Sequence, residues 1–338
     1  MDADDVAQIT ASLRQALSAD PHRARDTVLD FGWPEILAEE PQVAVTTLFP
    51  LAGELLAAGS VLDRVLVHAA GLDGPAADTR VVLPPPGRPM PPGRLDRSGA
   101  VHVDGVGQSG EGPLLVACAD EAGQWVLAVC PSVPARAGEP LDPTAGWVRL
   151  TGTVASQQLL DAAALGADPG EVWRRMVAAG RRALAHELVA VATAMEAMTV
   201  EHVSTRTQFG QRLGAFQAVK HQLADVHLWR QVAALSADAA WEDGGVESAA
   251  LAKAAALRAS RTARAVCQQL LGGMGFTWEH DFHRYLRRAL TLEPLLGDRA
   301  ALHAEIGAAV RAGRLGDSVA ALSRPVHSES ESKEETRA

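Results

Sequence analysis

Apolar residues recur at helical spacing through most of the second half of this chain, and that periodicity restricts its fold more than any other feature. Leu184, Leu188, Val191, Met195 and Met198 follow a 4-3-4-3 spacing, which places them on one stripe of a long helix beginning near Glu171. Phe216, Val219, Leu223 and Val226 repeat 3-4-3 on a second. A third helix is expected from about Glu247 to Leu271, stopped by Gly272-Gly273, and a fourth around His280–Thr291. Long helices joined by short polar loops bury such stripes against one another, so the spacing predicts an antiparallel four-helix bundle. Met195 and Met198 then belong to its core, where a flexible thioether fills irregular gaps.

The first half reads differently. Residues 1–78 suggest short helices: Pro34 sits where a helix starts in GWPEILAEE, and the apolar stretch Val43–Leu56 ends at AAGS. Residues 80–98, VVLPPPGRPMPPGRLDRSG, hold too many prolines for a helix or a central strand and read as a connector. From Ala100 to Thr153 come short runs rich in Val, Leu and Trp (VHVDGV, PLLVACAD, QWVLAVC, GWVRLTG), separated by turn residues. They predict a small antiparallel β-domain, sandwich or barrel. Within it GVGQSGEG (105–112) is a plain turn, since it lacks the lysine and following helix of a phosphate loop. The expected fold is therefore mainly α: an N-terminal helical domain (1–78), a reduced β-domain with its Pro-rich connector (79–158), a helical bundle (159–322) and a disordered polar tail (323–338).

Composition narrows the partners. Apolar residues make up 47% of the chain but aromatics only 4%, a mix suited to close-packed helices. A formal charge of −10 without a basic stripe argues against nucleic acid, so any anionic ligand must be met by a few local arginines. Cys118, Cys130 and Cys267 show no CxxC spacing, and the acidic N-terminus does not resemble a secretory leader. A reduced, cytoplasmic setting follows as the expectation. No run approaches 18 uninterrupted apolar residues, so no membrane span is expected.

Two segments carry chemistry. Arg206-Thr-Gln-Phe-Gly-Gln-Arg-Leu-Gly-Ala-Phe-Gln217 places guanidinium groups, two aromatic rings and amides at the junction of two long helices. Arg binds phosphate through its planar fork and Phe offers a face to a purine; the plainer reading is a turn whose rings fill the bundle core. Gln268-Gln269-Leu-Leu-Gly272-Gly273-Met-Gly275 brings backbone amides within reach of an anion, or simply caps a helix. Together, in this order and separation, they resemble the RxxFGxxxxxFQ and QxxGGxG segments of the acyl-CoA dehydrogenase family. The resemblance runs from Gly180 to Ala289, including GFTWEHDFHRYLRRA.

That resemblance implies an FAD contact made in trans, on flavin seated mainly in a neighbouring subunit. Arg206 would meet the pyrophosphate; Gln208, Phe209, Leu213, Phe216 and Gln217 would surround the adenosine end; Gln269, Gly272 and Gly273 would hydrogen-bond near the pyrophosphate. Glu279, His280, Asp281 and His283 present potential metal ligands, but on a helix they point in several directions. The family uses no metal there, and none is expected.

The family's catalytic glutamate occupies one of two positions, and this chain has Leu296 at the first and Gly180, 26 residues before Arg206, at the second. Neither is a base. Glu293 is a substitute only if the loop slips by three residues, with Glu187 and Asp298 as further carboxylates nearby in sequence. Glycine within a helix costs about 1 kcal/mol relative to alanine, so Gly180 implies either a close helix crossing or a vacated site able to admit bulk. The β-domain also lacks the family's TExxxGSD-like and WIT-like flavin-seating segments. What this chain's own flavin would need is lost, and what a partner's flavin would need is kept. This pattern is similar to the shortened subunit of heterotetrameric (α2β2) acyl-CoA dehydrogenases of steroid side-chain degradation. It implies a full-length catalytic partner subunit, FAD at the heteromeric interfaces, a bulky steroid acyl-CoA substrate and an electron-transfer acceptor. The alternatives are a self-sufficient homo-oligomeric dehydrogenase with a relocated base, and a non-redox helical scaffold.

Overall fold

A computed structural model describes residues 1–87, 91–136 and 138–315; the expected polar tail, 323–338, and the end of the bundle segment lie outside the described residues. Five helices open the chain: α1 (Ala3–Ala19), α2 (Ala24–Asp30), α3 (Trp33–Glu39), α4 (Pro41–Leu55) and α5 (Leu62–Ala70). Asp2 starts α1 with a capping box shared with Asp5, and Pro34 and Pro41 occupy the first turns of α3 and α4. The apolar faces of these helices meet around Leu13, Leu17, Trp33, Phe49 and Leu66.

Seven strands follow: β1 (Arg80–Val82), β2 (Gly93–Leu95), β3 (Ala100–Gln108), β4 (Leu114–Ala119), β5 (Trp125–Cys130), β6 (Trp147–Ala155) and β7 (Gln158–Leu160). They form one sheet in the order β6-β3-β2-β4-β5-β7, with β1 also on β4. The sheet is mixed rather than purely antiparallel, because β1 and β2 both run parallel to β4. Both lie in the stretch that reads as a connector. Each spans three residues and stays clear of Pro84–Pro86 and Pro91–Pro92, so the prolines never need to donate to the ladder. Strands β4 and β5 are apolar on both faces for a clear reason. Leu114, Val116, Cys118, Val126, Ala128 and Cys130 face the sheet's own interior, while Leu115, Ala117, Leu127 and Val129 face the helices.

After a short α6 (Ala162–Leu165) comes α7 (Pro169–Thr205), a 37-residue helix capped by Asp168. It is long and apolar enough to cross a bilayer, yet 56% of its apolar window is buried inside the protein. Helices α8 (Gln217–Ala239), α9 (Val246–Leu271) and α10 (Phe282–Leu292) pack with it as the spacing predicts, with the closest association between α7 and α9. A further helix, α11 (Arg299–Arg311), is capped by Asp298 and lies along α9, so the C-terminal region holds more than four helices. Helices α4 and α5 cover the other side of α7. At Gly53 of α4, a Cβ would fall 2.6 Å from the Glu187 carbonyl oxygen, so only glycine allows that approach.

Candidate functional site

The two motif segments converge at one end of the bundle, on its surface. Helix α7 stops at Thr205, and Arg206 leads into a small hairpin of β8 (Thr207–Gln208) and β9 (Gln211–Arg212). Its tip, Phe209-Gly210, has φ of +53° and +80°, the two left-handed residues of a type I′ turn. A phenylalanine there is doubly unfavourable: its backbone is in a region that side chains avoid, and the ring is 88% exposed. Among the described residues its only ring contact is edge-on to Phe216, with centroids 6.3 Å apart. Gln208 donates to the Thr207 carbonyl, Leu213 and Phe216 are half-buried beneath the hairpin, and Gln217 is the exposed first residue of α8. The Arg206 side chain is exposed and makes no hydrogen bond or ion pair with any described residue.

The second segment ends α9. Gly272 has φ +59° and ψ −134°, a conformation that requires glycine, and a tight 3-10 turn continues to Phe276. Gln269, Gly272 and Gly273 are exposed, and a Cβ at either glycine would meet nothing within 4 Å. The turn therefore presents bare backbone to the outside. His202 on α7 is held below its usual pKa by partial burial, by nearby His280 and by Arg206, which places the two segments at the same end. Cationic side chains and open amides there suit an anionic, aromatic ligand such as a dinucleotide. Beneath them Met195, Val226, Cys267, Leu271 and Phe282 pack into an apolar cluster.

Two residues at this end escaped the sequence reading. Phe276 and Trp278 are 74% and 77% exposed. Trp278 lies edge-on to His283 at 4.7 Å and under the Arg287 guanidinium at 5.5 Å, so it is oriented without being buried. The signal was available: both aromatics follow the glycine motif and fit no helical stripe.

The positions where a base would stand are far apart in sequence but touch in the structure. Gly180 lies on α7, and a Cβ there would come 2.4 Å from Leu296 Cδ1 and 3.0 Å from Leu66 Cδ2. The expected room for bulk at Gly180 is thus absent, because Leu66 of α5 and Leu296 of the loop after α10 fill it. The candidate substitute carboxylates have partners of their own. Glu293 takes a two-pronged salt bridge from Arg264 (2.9 and 2.8 Å) and a hydrogen bond from Ser260 (2.7 Å). Asp298 caps α11.

Glu187 is buried in a charged cluster joining all three regions. Arg288, 1% exposed, donates to Asp142 Oδ2 at 2.6 Å, Glu187 Oε1 at 3.2 Å and the Ala57 carbonyl at 2.9 Å. Burial pushes the Asp142 carboxyl up, but Arg288 and Thr144 outweigh it and leave its pKa lowered. At Glu187 burial wins over Arg288 and the pKa is raised. Lys253, wholly buried on α9, donates to the carbonyls of Leu292 and Glu293, and burial brings its pKa down to about 7. These groups tie the three regions together, and Glu187 and Ala57 also border a small pocket lined by Leu48, Phe49 and Ala58.

Residues 171–310 match the family model for the acyl-CoA dehydrogenase C-terminal domain. This segment of the chain is an acyl-CoA dehydrogenase C-terminal domain. A curated relative, acyl-CoA dehydrogenase IpdE2 of Mycobacterium tuberculosis, is 43% identical over 107 residues, 31% of this chain and 33% of the relative. The chain thus spans about a third of that relative's length. Likeness of fold extends much further than the domain match. A variant of the Tcur3481–Tcur3483 steroid ACAD aligns with TM-score 0.74 and 19% identity over 92% of this chain and 99% of that one. The ChsE4–ChsE5 complex from Mycobacterium tuberculosis aligns with TM-score 0.70 and 19% identity, covering 92% and 98%. Over the aligned part of the chain the fold is therefore that of these acyl-CoA dehydrogenase structures, with helices, sheet and bundle in that order.

Proposed function

We propose that this chain is the non-catalytic subunit of a heteromeric, FAD-dependent acyl-CoA dehydrogenase, and that its outward bundle end completes the flavin site of a full-length catalytic partner. The observation that carries this reading is the unspent chemistry of Arg206–Gln217 and Gln269–Gly273. A strained, exposed Phe209, an Arg206 side chain with no partner among the described residues and open glycine backbone leave chemistry that the described fold does not use. In this role Arg206 and the amides around Gly272 and Gly273 bind pyrophosphate. Phe209 and Phe216 shield the adenosine end from water, and Gln208, Leu213, Gln217 and Gln269 orient it. When bound, FAD supplies the two-electron acceptor for α,β-desaturation of a thioester. The partner provides the carboxylate that takes the α-proton, since Gly180 and Leu296 offer none.

The named neighbours support the remaining detail: one is a steroid ACAD and the other a two-component complex. A steroid side-chain CoA ester is accordingly the proposed substrate, with electrons leaving to a separate acceptor and the complex residing in the cytoplasm. Arg206→Ala tests the reading. The co-expressed complex should assemble but lose FAD affinity by about 10- to 100-fold, the value of one charge-assisted contact of roughly 1.5–3 kcal/mol. Unchanged flavin occupancy would overturn it.

A further inference from the structure

The loop after α10 is held in place with unusual thoroughness. Leu296 has φ +56°, a left-handed backbone that leucine adopts only when its surroundings impose it, and it is 4% exposed. Its carbonyl accepts from Arg181 Nε at 2.9 Å, and Arg181 is itself fixed by two 2.7 Å contacts to Glu305. Lys253 binds the carbonyls of Leu292 and Glu293, each at 3.2 Å, while Arg264 and Ser260 hold the Glu293 carboxylate. Together these contacts fix the loop that carries Leu296, whose Cδ1 lies 2.4 Å from where a Gly180 Cβ would stand, with Leu66 Cδ2 3.0 Å from the same point.

We propose that Leu296 is a plug that closes this chain's own acyl half-site. The inference rests on the proposed heteromeric function and says which half of the assembly takes substrate. The two places where a carboxylate would work have become one packed contact: glycine on α7 makes the hole and leucine on the loop fills it. Losing a base leaves a polar or empty pocket that admits water or a stray acyl chain. Gly180, Leu66 and Leu296 remove that pocket, so thioester enters only beside the partner's carboxylate. Arg181 and Lys253 act as positioning residues that keep the strained loop closed. The same contact explains why a glycine persists within a buried helix where alanine would be the better helix former.

A thermal double-mutant cycle on the full chain tests the plug without flavin, so its outcome is separate from that of Arg206→Ala. Gly180→Ala should lower Tm by roughly 4 °C or more despite alanine's higher helix propensity, because the new methyl meets Leu296. In a Leu296→Ala background the same substitution should leave Tm unchanged or raise it. Equal effects in both backgrounds would overturn the proposal.

Thiol labelling provides a second arm should Gly180→Ala fail to fold. Cys118, Cys130 and Cys267 are buried, and their thiols are pushed up to about 12, 11 and 11, which gives a silent background. A Leu66→Cys thiol should react with a disulfide reagent about 100-fold more slowly than an exposed one, and at least about tenfold faster once Leu296→Ala is added. Fast labelling with Leu296 in place, or labelling slowed by saturating octanoyl-CoA, would show that the half-site is open and overturn the plug.

Discussion

Two ends of the same bundle treat the same chemical problem in opposite ways. Around Arg206–Gln217 and Gln269–Gly273, side chains are left exposed, a backbone turn is strained and Arg206 has no side-chain partner among the described residues. Around Gly180 and Leu296, leucines fill the space beside the glycine, and Arg181, Lys253 and Arg264 each have a partner. Selection for stability alone would bury Phe209 and Trp278 or replace them, and would have little use for a left-handed Leu296. Under the proposed function, the contrast separates residues that would serve a partner from residues that would seal an unused site. A strained residue that faces outward and one that faces inward therefore carry different meanings, although the backbone cost is similar.

The largest effect is expected on the sealed side. Arg288→Ala would leave Asp142 and Glu187 buried without their shared cation, at about 3–5 kcal/mol measured by urea denaturation. A loss below about 1 kcal/mol would mean that this cluster is hydrated and the interior is not closed. Next comes a pH effect at Lys253. Its amine titrates near 7 in the folded protein and near 10.5 when unfolded, so between those values the unfolded chain binds the extra proton. Stability should rise with pH across that window and be independent of this group below it. Lys253→Met should flatten the rise in the urea midpoint; an identical slope in both proteins would show that the amine reaches water.

Much of this division was legible in the sequence, but unevenly. Helices α7 and α8 followed from apolar spacing, and the end of α9 from Gly272-Gly273. The motif segments were visible because their chemistry is local: Arg206 to Gln217 lie on one hairpin and the turn after it, and Gln269 to Gly273 on the end of α9 and the 3-10 turn that follows. What was hidden depends on distance along the chain. Leu296 meets Gly180 from 116 residues away, so an empty glycine suggested room where a leucine waits. Arg288 reaches Asp142 across 146 residues and Glu187 across 101, and no periodicity announces such a pairing. Strands β1 and β2 escaped because three residues show no alternation and the prolines beside them argue for a loop.

The smallest expected effect lies on the open side and sharpens the contrast most finely. Phe209→Asn keeps a residue that tolerates the left-handed turn and removes an exposed ring, so the chain alone should gain a few tenths to about 1 kcal/mol. The same change should weaken FAD retention by the complex, moving stability and flavin affinity in opposite directions. A loss of stability in the isolated chain would mean that Phe209 packs for the fold and not for a partner.

The central claim is best tested by the flavin content of the purified proteins, read from absorbance against protein mass. The account predicts a colourless chain when expressed alone, and one FAD per pair of unlike subunits when it is co-purified with a full-length acyl-CoA dehydrogenase partner. A yellow, catalytically active homo-oligomer of this chain alone, with one FAD per subunit, would contradict it.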